Sequence, residues 1–332
     1  MDDRSPLMES RTKRRLAADE LSRLAHRAVG SHVSDAVELA DGFANAVWRL
    51  TLDDGRSVVL KLSPPPELEQ LTYEHDLLRM EAAAYPLAAS AGVPVAALLK
   101  AGFDDPVLGG DYLVLSALDG TPWNQAALDE AANAALRYEL GGHLARFSTV
   151  TGEVYGYPHN GLTGSTWREA YLRMVGALLD DALRYPATPL PRPVAELRAV
   201  LEGASGVLDE VTTPHLVHFD VWPGNVFLDL TGRPRIQAII DHERAFWGDP
   251  LADLITPTLF REIDEDDPLL AGYRAVRPLE LTPGAHRRLD LYRAYLYLIL
   301  LVENGPRQYP EADYAPLRDL AMTSLVKVLD RL

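Results

Sequence analysis

The chain has no cysteine in its 332 residues. This excludes disulfides, zinc–thiolate centres and thiol nucleophiles, so any covalent or metal chemistry falls to Asp, Glu, His, Ser or Lys. Lysine is almost absent too: Lys13, Lys61, Lys100 and Lys327 are the whole supply, and the other basic residues are arginines. A lysine inside an apolar strand therefore stands out. No apolar run approaches the roughly 20 residues of a membrane helix, and the longest candidate, Tyr295 to Val302, stops at Glu303. The opening Met1-Asp2-Asp3-Arg4 lacks the basic-then-apolar order of a secretory signal, so a cytoplasmic protein with no membrane partner is expected. The net charge of −16 disfavours nucleic acid as a partner and favours cationic ligands.

Several catalytic signatures are missing as well. There is no GxxxxGK[ST], which excludes a P-loop enzyme. His242-Glu243-Arg244-Ala245-Phe246 is not HExxH, and Gly161 to Gly164 lacks the GxSxG nucleophile elbow.

What is present divides near residues 117 to 122. Residues 1 to 15 are polar and basic and read as a tail, followed by a helix from Leu16 to Val29 that Gly30 ends. Short β-rich runs follow at Val33 to Ala40, Ala46 to Thr51 and Val58 to Leu62, with hairpin chemistry at Asp53-Asp54-Gly55. Pro64-Pro65-Pro66 breaks the sheet and leads into an expected long helix over 68–91. Strands are expected at Val95 to Ala101 and Tyr112 to Leu118. Beyond Thr121-Pro122, amphipathic helical runs dominate: Gln125 to Phe147, Trp167 to Arg184 and Val194 to Leu208. They surround one β-like island, made of His215 to His218, Val226 to Leu230 and Arg235 to Ile240, and helices resume near Leu251. The expected division is a lobe over 1–115, a hinge over 116–122 and a second lobe over 123–332.

The island contains His218-Phe219-Asp220-Val221-Trp222-Pro223-Gly224-Asn225, the pattern HxDxxxxN. In phosphoryl transfer of the protein-kinase type, such a loop Asp accepts or orients the hydroxyl proton and the Asn helps hold magnesium. A hairpin's length further on, Asp241 emerges from the apolar Ile239-Ile240, and its carboxylate suits a hard cation. In the first lobe, Lys61 sits within Val58-Val59-Leu60-Lys61-Leu62, where a buried ammonium needs an anionic partner.

Val217 to Leu228, together with Ile239 to Pro250 and its Trp247-Gly248-Asp249-Pro250 ending, resembles the catalytic and metal motifs of the aminoglycoside phosphotransferase family. The likeness extends from about residue 35 to 305. It implies an α+β, two-lobed protein-kinase-like fold: an N-terminal antiparallel sheet lobe with a helix, and a larger, mostly helical C-terminal lobe. By the same resemblance Asp220 is the catalytic base, Asn225 and Asp241 hold Mg2+, and His218 supports the loop. Lys61 then binds ATP phosphates and pairs with Glu81, with Glu74 in reserve as a residue two turns away on the same helix face. Gly42 and Asn45 resemble the phosphate-covering turn, although GxGxxG itself is absent. Ser116 and Leu118 lie where backbone groups meet adenine. Glu243 assists the metal or supports the loop. Asp249, Asp253, the tyrosines 292, 295 and 297, and the acidic run 264–267 read as structural. Ala145-Arg146-Phe147-Ser148 departs from the Leu-His pair of many relatives.

The expected activity is transfer of the γ-phosphoryl group of ATP to a hydroxyl or amine of a small polar molecule. The resemblance puts an aminoglycoside-type antibiotic first, with resistance as its biological counterpart. Choline, an amino sugar or homoserine is the alternative, and a non-catalytic nucleotide-binding protein the alternative of another class. Protein substrates are disfavoured, because His242-Glu243 replaces Phe-Gly and no activation segment ends in Ala-Pro-Glu.

Overall fold

The structure is a computed structural model that describes residue 14 and residues 16–39, 45–186 and 188–332. Helix α1 (Ala18–Val29) ends on Gly30 in the left-handed conformation. Five antiparallel strands follow: β1 (Val33–Leu39), β2 (Ala46–Leu52) and β3 (Ser57–Leu62), then, beyond helix α2 (Leu77–Ser90), β4 (Leu98–Asp105) and β5 (Gly110–Ser116). Their order in the sheet is β1-β2-β3-β5-β4.

Period-two alternation decides what each face of β3 covers. Val58, Leu60 and Leu62 pack with Leu50, Leu52 and the inner face of α1, namely Leu21, Leu24 and Ala25. On the side of α2, Leu78 and Ala82 meet Leu113, while Tyr85 meets Ala96 and Leu115. Met80, Ala84 and Ala88 of α2 belong to the large core of the other lobe. Helix α2 is thus held between both halves.

The helix expected over 68–91 is shorter than the reading. Residues Thr72–Glu74 form a separate 3-10 turn, and Asp76 breaks the chain with φ 61° before α2 begins. One strand boundary shifts for a related reason. Val95 bridges to Ile239 instead of joining the sheet, so the pairing of β4 starts only at Leu98.

The rest of the chain contains short strand β6 (Thr121–Pro122), helix α3 (Glu130–Phe147), strands β7 (Tyr155–Tyr157) and β8 (Leu162–Gly164), and helices α4 (Trp167–Arg184) and α5 (Val194–Ala204). Next come β9 (His215–Val217), β10 (Val226–Asp229), β11 (Arg235–Ile239) and β12 (Phe246–Gly248). Helices α6 (Pro268–Arg274), α7 (Pro283–Val302), α8 (Asn304–Arg307) and α9 (Glu311–Leu329) complete it. The single island expected from sequence is two sheets, β11-β10-β6 and β8-β7-β12-β9. Helices α3 and α6 cross where Gly141 meets the Leu269 carbonyl and Gly272 the Tyr138 carbonyl; a Cβ at either glycine would lie within 2 Å of that oxygen (1.9 and 1.8 Å).

Tyr292, Tyr295 and Tyr297 are core residues of α7. Asp267 caps α6, accepting from the Leu269 amide at 2.9 Å, and also binds Arg137. Among the described residues, no helix is long and apolar enough to cross a membrane.

Candidate active site

The site lies where β3, α2, the loop between β9 and β10 and the turn after β11 meet. Lys61 shares the α2-facing side of β3 with Val59 and is 6% exposed. Its ammonium lies 2.5 Å from Asp241 Oδ1, 2.6 Å from Glu243 Oε2 and 2.7 Å from Glu81 Oε2. Burial acts to lower the Lys61 pKa, but Asp241, Glu243 and Glu81 outweigh it and hold the value well above that of an ordinary lysine. Burial raises Glu81, which is 1% exposed, against the attraction of Lys61.

The expected Lys61–Glu81 pair is therefore in contact, whereas the reserve partner Glu74 is not on the same helix and binds Arg307. Asn45 Nδ2 donates to Glu243 Oε2 at 2.5 Å, so the start of β2 meets the turn after β11. Gly42 lies outside the described residues.

The catalytic-loop candidate is held from below. Asp253 Oδ1 accepts from the amides of His218 and Phe219, both at 2.8 Å, and Phe219 sits at φ 61°. A left-handed phenylalanine costs about 1–2 kcal/mol, and these two bonds offset that strain. His218 Nε2 donates to the Ile240 carbonyl at 3.1 Å, and its Nδ1 accepts from the Asp220 amide at 3.2 Å. Burial pushes its pKa down to about 4, so the ring is neutral.

In the segment 145–148, the ring of Phe147 stacks on His242 at 5.8 Å and packs beside His218 at 5.9 Å. Asn225 Nδ2 donates to the Asp220 carbonyl (2.9 Å) and to its Oδ2 (3.3 Å), which leaves Asn225 Oδ1 as the acceptor available to a cation. Burial raises the Asp220 pKa to about 7; Arg244 opposes that rise, and Asp241, Glu243 and Glu303 add to it.

A cleft of about 450 Å³ opens over these groups. Lys61, Glu81, Asn45, Asn225, Asp241 and Glu243 line one end, and Leu115, Ser116, Leu118 and Val59 line the other. At that apolar end the Leu118 carbonyl accepts from Arg49 at 2.8 Å, while the Ser116 hydroxyl accepts from the Ala97 amide at 2.9 Å.

The donor set fits a hard divalent cation. Carboxylate oxygens of Glu81, Asp241 and Glu243 lie within 4.8 Å of one another, and one ammonium does not balance three carboxylates. Trp222, an unspecified position of the HxDxxxxN motif, also lines the cleft, as do Gln125, Asn124 and Arg49, which carry no motif by which sequence reasoning could find them. Arg244 and Glu303, which pair at 3.1 Å beside the site, were missed for the same reason.

An antiparallel sheet lobe stacked on a helical lobe, with the loop of Asp220 and the turn of Asp241 facing Lys61 across the cleft, defines a protein-kinase-like fold. Within that class, the chain belongs to the phosphotransferase enzyme family, whose sequence profile matches residues 35–292. A probable ketoamine kinase of Lactiplantibacillus plantarum is 36% identical over 100 residues, covering 30% of this chain and 33% of that protein. A second probable ketoamine kinase, from Vibrio parahaemolyticus, is 35% identical over 82 residues, 25% of each chain. The chain thus matches a third or less of the length of these curated relatives.

Solved structures share the fold along nearly the whole chain. A protein provisionally assigned as a fructosamine-3-kinase, from Thermobifida fusca, superposes with a TM-score of 0.66 at 21% identity, covering 93% of this chain and 99% of that one. A thermostable mutant of an aminoglycoside phosphotransferase, bound to AMP-PNP and hygromycin B, superposes with a TM-score of 0.62 at 18% identity, covering 94% and 98%.

Proposed function

We propose that the chain is an ATP-dependent kinase of a small, hydroxyl-rich molecule. The observation that carries this reading is the meeting of Lys61, Asp241 and Asn225 at one cleft from three separate elements, with Asp220 bonded to Asn225 in the same loop. In this reading residues 1–115 supply the nucleotide lobe, 116–122 the hinge and 123–332 the catalytic loop and acceptor surface.

Magnesium, held by Asn225 and Asp241 with Glu243 beside them, would supply positive charge against the triphosphate. Lys61, kept protonated by its carboxylates, binds phosphate oxygens. Glu81 fixes the Lys61 stem, and Asn45 steadies the phosphate side through Glu243. The apolar end, with Val59, Leu115, Ser116 and Leu118, accommodates the base. Asp220 orients the acceptor hydroxyl and takes its proton as the new O–P bond forms and the bond from the γ-phosphorus to its bridging oxygen breaks. Because burial raises Asp220, it is a better base than an exposed aspartate while still ionised near neutral pH.

For the acceptor, two classes share the needed chemistry of hydroxyls beside an amine. The family resemblance and the hygromycin-bound neighbour support an aminoglycoside. The identity to two ketoamine kinases supports a sugar-derived amine. The acidic surface suits either.

The test is ADP release with magnesium-ATP across ketoamines, aminoglycosides, amino sugars and amino alcohols, with Asp220→Asn as control. Turnover on one class that the substitution abolishes supports the reading and names the acceptor. A chain that neither turns over nor binds magnesium-ATP overturns it.

A further inference from the structure

Glu74 drew attention in the sequence as a possible partner of Lys61, and the structure gives it a different place. It ends the Thr72–Glu74 turn, which leaves the sheet lobe and docks on the helical one. All three side chains of that turn engage the other lobe. The Thr72 hydroxyl and amide donate to the two oxygens of Asp181 on α4, at 2.8 and 2.6 Å. The ring of Tyr73 lies 6.2 Å from that of Tyr157, and its carbonyl accepts from Asn160 at 2.9 Å. Glu74 Oε1 accepts from Arg307 at the end of α8, while its Oε2 takes the Leu71 amide at 2.9 Å and closes the turn.

The contact continues inward. Arg307 also binds Glu303 Oε2 at 3.0 Å, and the same oxygen accepts from Arg244 at 3.1 Å. Glu74, Arg307, Glu303 and Arg244 are all at most 9% exposed. They alternate in sign along a line that starts in the sheet lobe and ends at Arg244, in the turn next to Glu243. Arg244 and Asp220 act on each other electrostatically, and Arg244 is the cation that opposes the effect of burial on Asp220. A buried chain of this kind is balanced only with every member present, because losing one charge leaves its neighbour unpaired in a poorly solvated place.

We propose that Glu74 and Arg307 are positioning residues for phosphoryl transfer: as the outer members of the buried charge chain they fix Glu303, and through it hold Arg244 in the turn beside Glu243, where its charge acts on Asp220. This inference rests on the kinase reading above. It assigns to a charge chain outside the cleft the task of tying the sheet lobe to the surroundings of the proposed catalytic carboxylate. Neither residue lines the cleft that holds Lys61 and Asp241. Their expected effect is therefore on the chemical step and not on nucleotide affinity, which the reading above assigns to Lys61 and Asp241.

The experiment compares Glu74→Gln, Arg307→Lys and Thr72→Val with the wild-type chain in steady-state ADP release, alongside thermal unfolding. Glu74→Gln is isosteric and removes only a charge. It is expected to lower kcat about 10- to 100-fold, the scale of a small misplacement of a catalytic group, with KM for ATP changed less than about threefold. Arg307→Lys keeps the charge but not the two-pronged contact, and restores part of kcat relative to Arg307→Met. Thr72→Val loosens the same turn outside the charge chain, so it lowers the melting temperature and leaves kcat intact.

Wild-type kcat in Glu74→Gln would overturn the inference, and so would an equal kcat loss in Thr72→Val. If Glu74→Gln does not fold, the Arg307→Lys and Arg307→Met pair carries the test, and equal kcat in the two is the overturning result. An active wild type with unaffected variants defeats this inference alone, whereas a wild type without turnover defeats the proposed function and this inference with it.

Discussion

Two buried clusters of opposed charges serve different ends, one built around a lysine and the other around two arginines. Around Lys61, one ammonium faces the carboxylates of Glu81, Asp241 and Glu243, and the group opens on the cleft. Around Arg307, two guanidiniums alternate with two carboxylates, in the order Glu74, Arg307, Glu303, Arg244. The second cluster is neutral and complete. The first is not, and a buried excess of carboxylate is costly unless something positive arrives. The imbalance therefore marks the ligand side and the balance marks the scaffold.

The largest expected effect falls outside both clusters. Asp220→Asn keeps the shape of the loop and removes the proposed base, so kcat is expected to fall about 10³-fold, within the usual range for general-base removal. A loss below tenfold in the purified variant would separate Asp220 from the chemistry. Breaking the unbalanced cluster comes next. Lys61→Met removes its only cation and leaves three carboxylates together; kcat/KM is expected to fall about 10²-fold. Protection of the variant from heat by magnesium alone should increase, because the metal then replaces the lost counter-charge. A melting temperature equally indifferent to magnesium in variant and wild type would contradict the donor set drawn here.

The unbalanced cluster was legible in the sequence and the balanced one was not, for a physical reason. Lys61, Asp220, Asn225 and Asp241 sit in short, fixed spacings imposed by a loop and a hairpin, and a lysine in an apolar strand is conspicuous in a chain this poor in lysine. Glu74 and Arg307 are 233 positions apart, and nothing local distinguishes that arginine from the rest. The same limit explains the misplaced helix start. Residues 68–76 have helical composition, but docking of Thr72 and Glu74 on the other lobe outweighs local propensity and bends the chain at Asp76. The two-lobed fold was readable because the change from period two to helical spacing near residue 120 is long and consistent. The division of the β island into two sheets depends on pairing with Thr121–Pro122 and Tyr155–Tyr157, which no local pattern announces.

A smaller effect sharpens the comparison through pH. Burial raises Asp220 to about 7 against the pull of Arg244, so the ionised base is lost as pH falls through that value. Activity should then drop about tenfold per unit below pH 7 and level off above it. Because the balanced chain delivers Arg244, Glu74→Gln should also move that midpoint, whereas Thr72→Val should not. A flat profile between pH 5 and 8 in the wild type would show that Asp220 titrates as an exposed carboxylate.

The smallest effect concerns stability and runs opposite to activity. An aspartate in the unfolded chain titrates near 3.9, and in the folded protein Asp220 holds its proton up to about 7. Between those values the folded state binds the proton more tightly, so this group makes the protein less stable as pH rises from about 4 to 7, and the deficit persists above. For a fully enclosed carboxylate, three units would amount to about 4 kcal/mol. Asp220 is only partly buried, so solvent screening leaves only part of that, about 1 kcal/mol. Asp220→Asn removes the ionisation altogether. The variant that loses the most activity should therefore unfold at a higher temperature than the wild type at pH 8, and the difference should vanish near pH 4. If the gain is the same at both pH values, it comes from packing and not from a carboxylate held against its solvation preference. If no gain appears at pH 8, the Asp220 carboxylate is not held against its solvation preference in the folded protein.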